Sequence, residues 1–175
     1  MPKTRAIRIL GLLATAWLVT SCEPAGTLPG GGRQNDYLVA RQALETGNYE
    51  LAIARYERLL SQVPPGEAAG RLRLEYAHSL LRGGNYEPAI NVATALIEQH
   101  DGSLRASAQA VRGTARHQLA RARIAAGDSG EETRKLLQGA QADLSAFLKT
   151  HPDLDAAGAM AQRSRLIAED LKKTG

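Results

Sequence analysis

The chain has 175 residues, of which 43% are hydrophobic but only 4% aromatic, and its formal net charge is +4. The segment before position 22 contains three basic residues and no acidic residue, so residues 22–175 carry 19 basic and 18 acidic residues. A nearly neutral remainder argues against nucleic-acid binding, and its length suits one domain. The abundance of Ala, Leu, Arg, Glu and Gln favours helices over sheets.

Residues 1–21 have the pattern of an export signal. Lys3, Arg5 and Arg8 precede an apolar stretch at 9–19. A helix that spans a bilayer needs about 20 residues, whereas the apolar core of a signal peptide is shorter. We therefore predict that residues 1–21 form a signal peptide.

The sole cysteine, Cys22, follows Val19-Thr20-Ser21, and this ending resembles the bacterial lipobox. The resemblance implies that the Cys22 thiol receives a diacylglyceryl group, that the leader is cleaved, and that the new N-terminus is acylated, typically with palmitate. A thiolate is the nucleophile that such a thioether needs, and two or more acyl chains anchor a protein stably. Glu23, rather than Asp, follows the cysteine and favours the outer membrane, facing the periplasm. The alternatives are inner-membrane retention and an ordinary secretory signal with a chance cysteine.

Residues 22–33 are predicted to be the lipidated cysteine and a flexible tether, because residues 23–33 are rich in Gly and Pro. At about 5–6 Å × √n, these residues give a typical reach of roughly 18 Å. Such a reach lets the following domain stand clear of the lipid headgroups.

Residues 34–175 contain a seven-residue motif that occurs twice, at 47–53 and 84–90. Six of its seven positions are identical, and the copies begin 37 residues apart. In each copy a Gly ends one helix, an Asn can cap the next, and a Tyr and an Ala lie where the two helices meet. A fixed period of this size is typical of stacked helical repeats.

The periodicity of apolar residues predicts four helices before residue 100. Asn35 or Asp36 is the expected N-cap of the first helix, and Pro64-Pro65 stops the second. The predicted helices cover about 36–46, 49–62, 67–82 and 87–99.

A third, less regular unit follows. Gly127 stands in the position of Gly47, and Ala140, Leu144, Phe147 and Pro152 repeat the spacing of the first unit. About eight extra residues separate its two halves, and they either lengthen the turn or extend the flanking helices. Asp153 or Asp155 is predicted to cap a last helix that ends near Lys172. Its polar outer face is predicted to consist of Gln162, Arg163, Arg165, Glu169, Asp170, Lys172 and Lys173.

These spacings resemble the tetratricopeptide repeat, a helix–turn–helix unit of about 34 residues. The resemblance implies an all-α fold: a short α-solenoid of about three such units at 34–66, 67–102 and 103–152, with a C-terminal capping helix at 153–173. The match rests on residues at equivalent positions of the first two units, which are Gly47, Tyr49, Ala52, Tyr56, Leu59 and Pro64 against Gly84, Tyr86, Ala89, Ala93, Leu96 and Asp101. Repeats of this kind serve unrelated functions, so the match is specific for the fold alone.

The family resemblance also implies a concave groove lined by the first helix of each unit, at positions ten and six residues before each glycine. One column of apolar or aromatic residues beside a column of Arg or His would suit an extended peptide with acidic groups. The alternative is an ordinary solvated helix face. The six candidate binding residues are Tyr37, Arg41, Leu74, His78, His117 and Arg121.

We find no catalytic constellation in the sequence. The four histidines are scattered without metal-ligand spacing, no serine lies in a nucleophile elbow, and no phosphate-binding loop is present. We therefore predict a protein that is not an enzyme, with no catalytic residues, no metal and no cofactor apart from the lipid on Cys22.

A lipobox followed by a few repeats resembles the small tetratricopeptide lipoproteins of Flp/Tad pilus assembly. The expected function is a lipid-anchored periplasmic scaffold or adaptor that binds partner proteins in the assembly of a pilus, secretion or outer-membrane machine. The alternatives are a recruiter of peptidoglycan-remodelling enzymes and an enzyme of unknown activity.

Overall fold

The computed structural model describes residues 31–174, so the predicted signal peptide, Cys22 and most of the predicted tether lie outside the described residues. Between residues 31 and 174 the chain forms helices joined by short turns and has no strand, which confirms the all-α prediction. The helices are α1 Gly31–Glu45, α2 Tyr49–Leu60, α3 Glu67–Arg82, α4 Tyr86–Gln99, α5 Gly102–Ala125, α6 Glu131–Thr150 and α7 Ala159–Lys173, with a 3₁₀ turn at Pro152–Asp155.

Each helix packs against the next one in the chain, and α5 also contacts α3 and α7. Helices α1 and α3 are joined by an ion pair in which Arg41 Nη1 donates to Glu75 Oε1 at 2.7 Å. The odd-numbered helices therefore contact one another in order, α1 with α3, α3 with α5 and α5 with α7. In this part of the chain, no helix is long and apolar enough to cross a membrane.

Three helices end in the same backbone geometry. Gly47, Gly84 and Gly127 have φ of 84°, 80° and 86°, a left-handed conformation that is strained for residues with a Cβ. The residue after each glycine donates its N–H to a carbonyl five residues earlier, at 2.8 to 2.9 Å, as in a Schellman motif. Gly127, which the sequence predicts as the third equivalent position, thus ends α5 as the other two glycines end α1 and α3.

The Asn that follows the turn glycine acts differently in the two copies of the seven-residue motif. The Asn48 side chain caps α2, because its Oδ1 accepts the N–H of Leu51 at 3.2 Å. Asn85 precedes α4 without a side-chain capping bond. The capping prediction is therefore confirmed for the first copy and wrong for the second.

Small buried residues recur at the positions where helices approach each other. The alanine seven residues before each turn glycine is fully buried, and so is one alanine in the following helix, which is the fourth residue of α2 and of α4 and the tenth of α6. A larger side chain at these points would push two backbones apart. These alanines are Ala40, Ala77 and Ala120 in the first helix of each pair and Ala52, Ala89 and Ala140 in the second.

Helix α1 begins at Gly31 rather than near Asp36, so residues 31–33 of the predicted tether are helical. Asp36 is not the N-cap, since its side chain is buried and accepts a 2.7 Å hydrogen bond from Arg55 Nη1 in α2. The carboxylate that we expected to start α1 instead ties α1 to α2.

The extra residues between Gly127 and Ala140 lengthen α6. Helix α6 begins nine residues before Ala140, whereas α2 begins three residues before Ala52. Of the about eight inserted residues, six therefore extend the start of α6 and two lengthen the turn, while α5 ends two residues before its glycine as α1 and α3 do.

The last helix starts at Ala159, later than predicted, because the 3₁₀ turn precedes it. The prediction that Asp155 caps this helix holds across the turn. Its two carboxylate oxygens accept the N–H groups of Met160 and Ala161, each at 2.9 Å. Ile167 of α7 is fully buried against a cluster that includes Ala120 and Leu137.

One buried carboxylate joins three helices. Asp143 of α6, whose side chain is 5% exposed, accepts two hydrogen bonds from Arg112 at 2.6 and 2.9 Å and one from Arg116 at 2.8 Å. Arg112 also donates to Thr94 Oγ1 of α4 at 3.2 Å. The two arginines thus share one acid, and α4, α5 and α6 are linked.

Replacing a buried alanine tests whether the helix junctions are as tight as described. We expect Ala52→Leu to lower the free energy of unfolding by about 1–3 kcal/mol, because the added atoms overpack the α1–α2 junction. Ala54→Leu, at an exposed position of the same helix, is the matched control and should change it by less than about 0.5 kcal/mol. Urea denaturation measures both, and equal stability of the two variants would contradict the junction.

Candidate peptide-binding groove

The six candidate binding residues lie on three of the odd-numbered helices. Tyr37 and Arg41 are on α1, Leu74 and His78 on α3, and His117 and Arg121 on α5. Their surroundings differ strongly from one helix to the next.

A cavity of about 700 Å³ opens between α1, the C-terminal end of α2 and α3. Tyr37 and Leu74 line it, so the apolar column expected from the sequence borders this space on both helices. Tyr37 is 39% exposed and packs edge-on against the buried Tyr56, with ring centroids 6.4 Å apart. The remaining lining residues are Arg33, Gln34, Leu59, Val63, Ala68, Arg71, Leu72 and Glu75.

A second cavity of about 500 Å³ lies on the other side of α3, towards the start of α5. Arg71 and Leu74 line both cavities, so the two adjoin α3 at the same residues. We call the residues that line either cavity the N-terminal groove. The second cavity adds polar groups, among them Ser103 and Ser107 of α5.

Close helix packing shapes the second cavity. Gly70 of α3 lies against the side chains of His100 and Leu104, and a Cβ at Gly70 would come within 2.7 Å of the His100 ring and 2.9 Å of Leu104. A glycine at this point lets the start of α5 approach α3. The floor of the cavity depends on that approach.

Arg41 does not offer a free positive charge to a ligand. Its guanidinium donates to Glu75 at 2.7 Å and to Glu45 at 3.0 Å. The Glu75 carboxylate raises the pKa of Arg41, although burial opposes this. Because both neighbours are acidic, the charge of Arg41 is compensated within the protein.

His78 is half-buried, and burial lowers its pKa below the ordinary value of 6.5. Glu75 opposes this shift, while Arg82 and Arg41 add to it. The imidazole is therefore neutral at pH 7. The column of Arg or His residues that was expected to attract acidic groups thus has no positive charge at its α3 position.

His117 is fully buried beneath α7, so the structure does not place it on an open groove surface. Its Nε2 lies 3.1 Å from Asp170 Oδ2 and its Nδ1 lies 3.4 Å from Arg163 Nη1. These partners assign the proton to Nε2, which donates to Asp170, and leave Nδ1 to accept from Arg163. Burial lowers the pKa of His117, although the hydrogen bond to Asp170 partly opposes this shift. Arg121, one turn further along α5, is exposed.

The sequence reasoning placed Arg163 and Asp170 on the polar outer face of the last helix, whereas both side chains turn towards α5. The spacing contains a signal for this arrangement. Arg163, Ile167 and Asp170 are four and three residues apart, so they share one face of α7, and Ile167 is fully buried. Arg33 and Glu75 are charged groove residues that the sequence did not indicate.

The described part of the chain holds no group of three or more His, Cys, Asp or Glu side chains placed to bind a metal ion. The arrangement around the N-terminal groove is an apolar depression with charged residues beside it. Such a surface can hold an apolar side chain of a partner and orient it through polar contacts.

The buried His117 makes the stability of the protein depend on pH. The unfolded histidine binds a proton near its ordinary pKa of 6.5, while the folded one resists protonation. The stability linked to His117 is therefore complete above pH 6.5 and is lost as the pH falls through 6.5 towards the lower folded pKa. We expect a lower urea midpoint at about pH 5.5 than at about pH 7.5.

His117→Gln should reduce this loss, because the Gln amide can donate to Asp170 and accept from Arg163 without titrating. His151→Gln, at a ring that bonds to Thr150 and lies outside the α5–α7 contact, is the control. An unchanged pH dependence in His117→Gln would show that another group causes it.

Comparison of the chain with protein-family models, with curated proteins and with solved structures finds no match. The tetratricopeptide assignment thus stays a prediction, and the arguments about function rest on the residues and contacts of this chain.

Proposed function

We propose that this protein is a lipid-anchored scaffold or adaptor that binds partner proteins on the periplasmic side of an envelope membrane. Its partners would belong to an assembly machine for a pilus, a secretion channel or the outer membrane. The observation that carries the proposal is the N-terminal groove, whose two cavities adjoin α3 and present apolar side chains from α1, α2 and α3.

In this proposal α1 to α6 are three tetratricopeptide units and α7 is the capping helix. Two observations support it. The turn glycines of α1, α3 and α5 share one left-handed geometry, and the small residues expected at the helix junctions are fully buried in all three pairs. Units of this kind stack by burying each other's apolar faces, and the row of first helices then forms a binding surface.

The groove suits an extended segment of a partner that inserts an apolar side chain next to Tyr37 and Leu74. Arg71 borders both cavities, and its side chain is 76% exposed. Its ion pair with Glu67 is equally exposed, and such pairs contribute about 0–1 kcal/mol, so Arg71 can exchange this partner for an acidic group of the ligand.

The test is crosslinking in intact cells, followed by purification through the C-terminus and mass spectrometry. We expect proteins of a pilus, secretin or β-barrel assembly machine to be recovered with the wild type. Arg71→Glu should reduce their recovery at least about fivefold, because it reverses a charge beside both cavities.

Lys149→Glu, an equal charge reversal at an exposed position of α6, is the matched control and should leave recovery unchanged. Thermal melting of both variants checks that each is folded. Recovery of cell-wall enzymes instead would favour the recruiter of peptidoglycan-remodelling enzymes. Recovery of no protein above background would contradict the adaptor function.

The anchoring part of the proposal rests on Cys22. We expect Cys22→Ser to leave the helical domain folded while moving the protein from the membrane fraction to the soluble fraction, since no acyl chains can be attached. Fractionation with immunodetection measures this, and Ser21→Ala, which keeps a small residue before the cysteine, is the control. Full membrane retention of Cys22→Ser would show that another anchor exists.

A further inference from the structure

Arg163 is a partly buried cation without an acid. Its Nη1 contacts His117 Nδ1 at 3.4 Å, and its Nε is buried and has no hydrogen-bond partner. None of the ion pairs within residues 31–174 involves Arg163 or its neighbour Arg121. Burying a charge without a partner is costly, so this arrangement needs a reason.

Nearby acidic groups do not compensate Arg163. Asp170 Oδ2 accepts from His117 at 3.1 Å and Oδ1 accepts from Lys173 at 3.0 Å, and neither oxygen forms an ion pair with Arg163. Both arginines lie around His117, since Arg163 Nη1 is 3.4 Å from its Nδ1 and Arg121 follows it by one turn of α5. In line with this placement, burial lowers the pKa of Arg163 and the positive charge of Arg121 lowers it further. The space between α5 and α7 therefore has a local excess of positive charge.

A comparison within the molecule shows what a satisfied pair of arginines looks like. Arg112 and Arg116, which lie one turn apart on α5, share the carboxylate of Asp143 at distances of 2.6 to 2.9 Å. Arg121 and Arg163 have the cations of such a cluster but lack its acid. A carboxylate supplied from outside would complete it.

The orientation of Arg163 is set in advance. His117 is fully buried and its Nε2–H is directed to Asp170, so Nδ1 accepts from Arg163 and holds the guanidinium at the α5–α7 contact. A side chain that is already ordered loses less conformational entropy when a ligand binds. Arg121 is exposed and one turn away from His117, so it can approach the same ligand from the solvent side.

We propose that Arg121 and Arg163 form a binding site for a side-chain carboxylate in an acidic segment of a partner protein. This inference rests on the adaptor function proposed above and adds a second contact, on α5 and α7, to the N-terminal groove. The planar fork of arginine matches a carboxylate, and the bound acid would neutralise the charge that the protein leaves uncompensated.

The experiment uses the full chain, extracted from membranes in a non-ionic detergent, and a fluorescent octaglutamate peptide with blocked termini. Fluorescence anisotropy at low salt measures the affinity. We expect Arg121→Gln and Arg163→Gln each to weaken octaglutamate binding by about tenfold, the effect of losing a hydrogen bond to a charged group. Arg165→Gln, at an exposed position of α7, is the matched control and should bind like the wild type.

Thermal melting separates binding from a structural role. A binding site predicts that Arg163→Gln is as stable as the wild type or more stable, because it removes an uncompensated cation, and that octaglutamate raises the melting temperature of the wild type alone. If Arg163→Gln has a lower melting temperature than the wild type, the binding of octaglutamate to Arg121→Gln becomes the deciding test. The Arg121 side chain is exposed and is not needed for packing.

Equal binding of octaglutamate by the wild type and both variants would overturn the site. So would binding of octaglutamine with the same affinity, or displacement of the peptide by inorganic phosphate at concentrations at which acetate has no effect. The adaptor function is tested separately, because partner recovery through the N-terminal groove depends on Arg71 and not on these two arginines. If the wild type recovers its partners in cells but octaglutamate binds equally to the wild type and to both arginine variants, the adaptor function stands and this second site is ruled out.

Discussion

The structure depends on a tight reversal of the chain that brings two helices together with almost no space between them. A left-handed glycine permits the reversal, and a fully buried alanine on each side permits the close approach. Each constraint needs the other, because a turn as short as Gly47-Asn48 cannot join helices that large side chains hold apart. The same combination at Gly84 and Gly127 explains how a chain with one Phe and one Trp builds a core.

Charge is distributed unevenly along the row of odd-numbered helices. At the α1–α3 contact Arg41 is matched by two glutamates, and inside the third unit Arg112 and Arg116 are matched by Asp143. Between α5 and α7 the cations Arg121 and Arg163 outnumber the available acids. Because the formal charge of the chain after residue 21 is close to zero, this excess is a local property that the overall composition does not reveal.

Much of the fold could be predicted because it is encoded locally. The turn glycines, the alanines and the helix bounds near 49–62, 67–82 and 87–99 follow from spacing alone, and the helices of the structure lie within a few residues of them. What spacing cannot supply is the choice of partner for a polar side chain. Asp36 has the residue type of an N-cap but bonds to Arg55, and His117 occupies a groove position but is covered by α7. Both outcomes depend on helices distant in sequence.

Helix α5 contacts α3, α4, α6 and α7, whereas α1 packs chiefly on α2. In an array held by neighbour contacts, the free energy of local opening rises from the ends towards the best-packed element. Helices α1 and α7 are the first and last helices of this order, so we expect local opening to cost less free energy in them than in α5. Since Tyr37 belongs to α1, a partner that fills the N-terminal groove also holds this end helix in place and makes its local opening rarer.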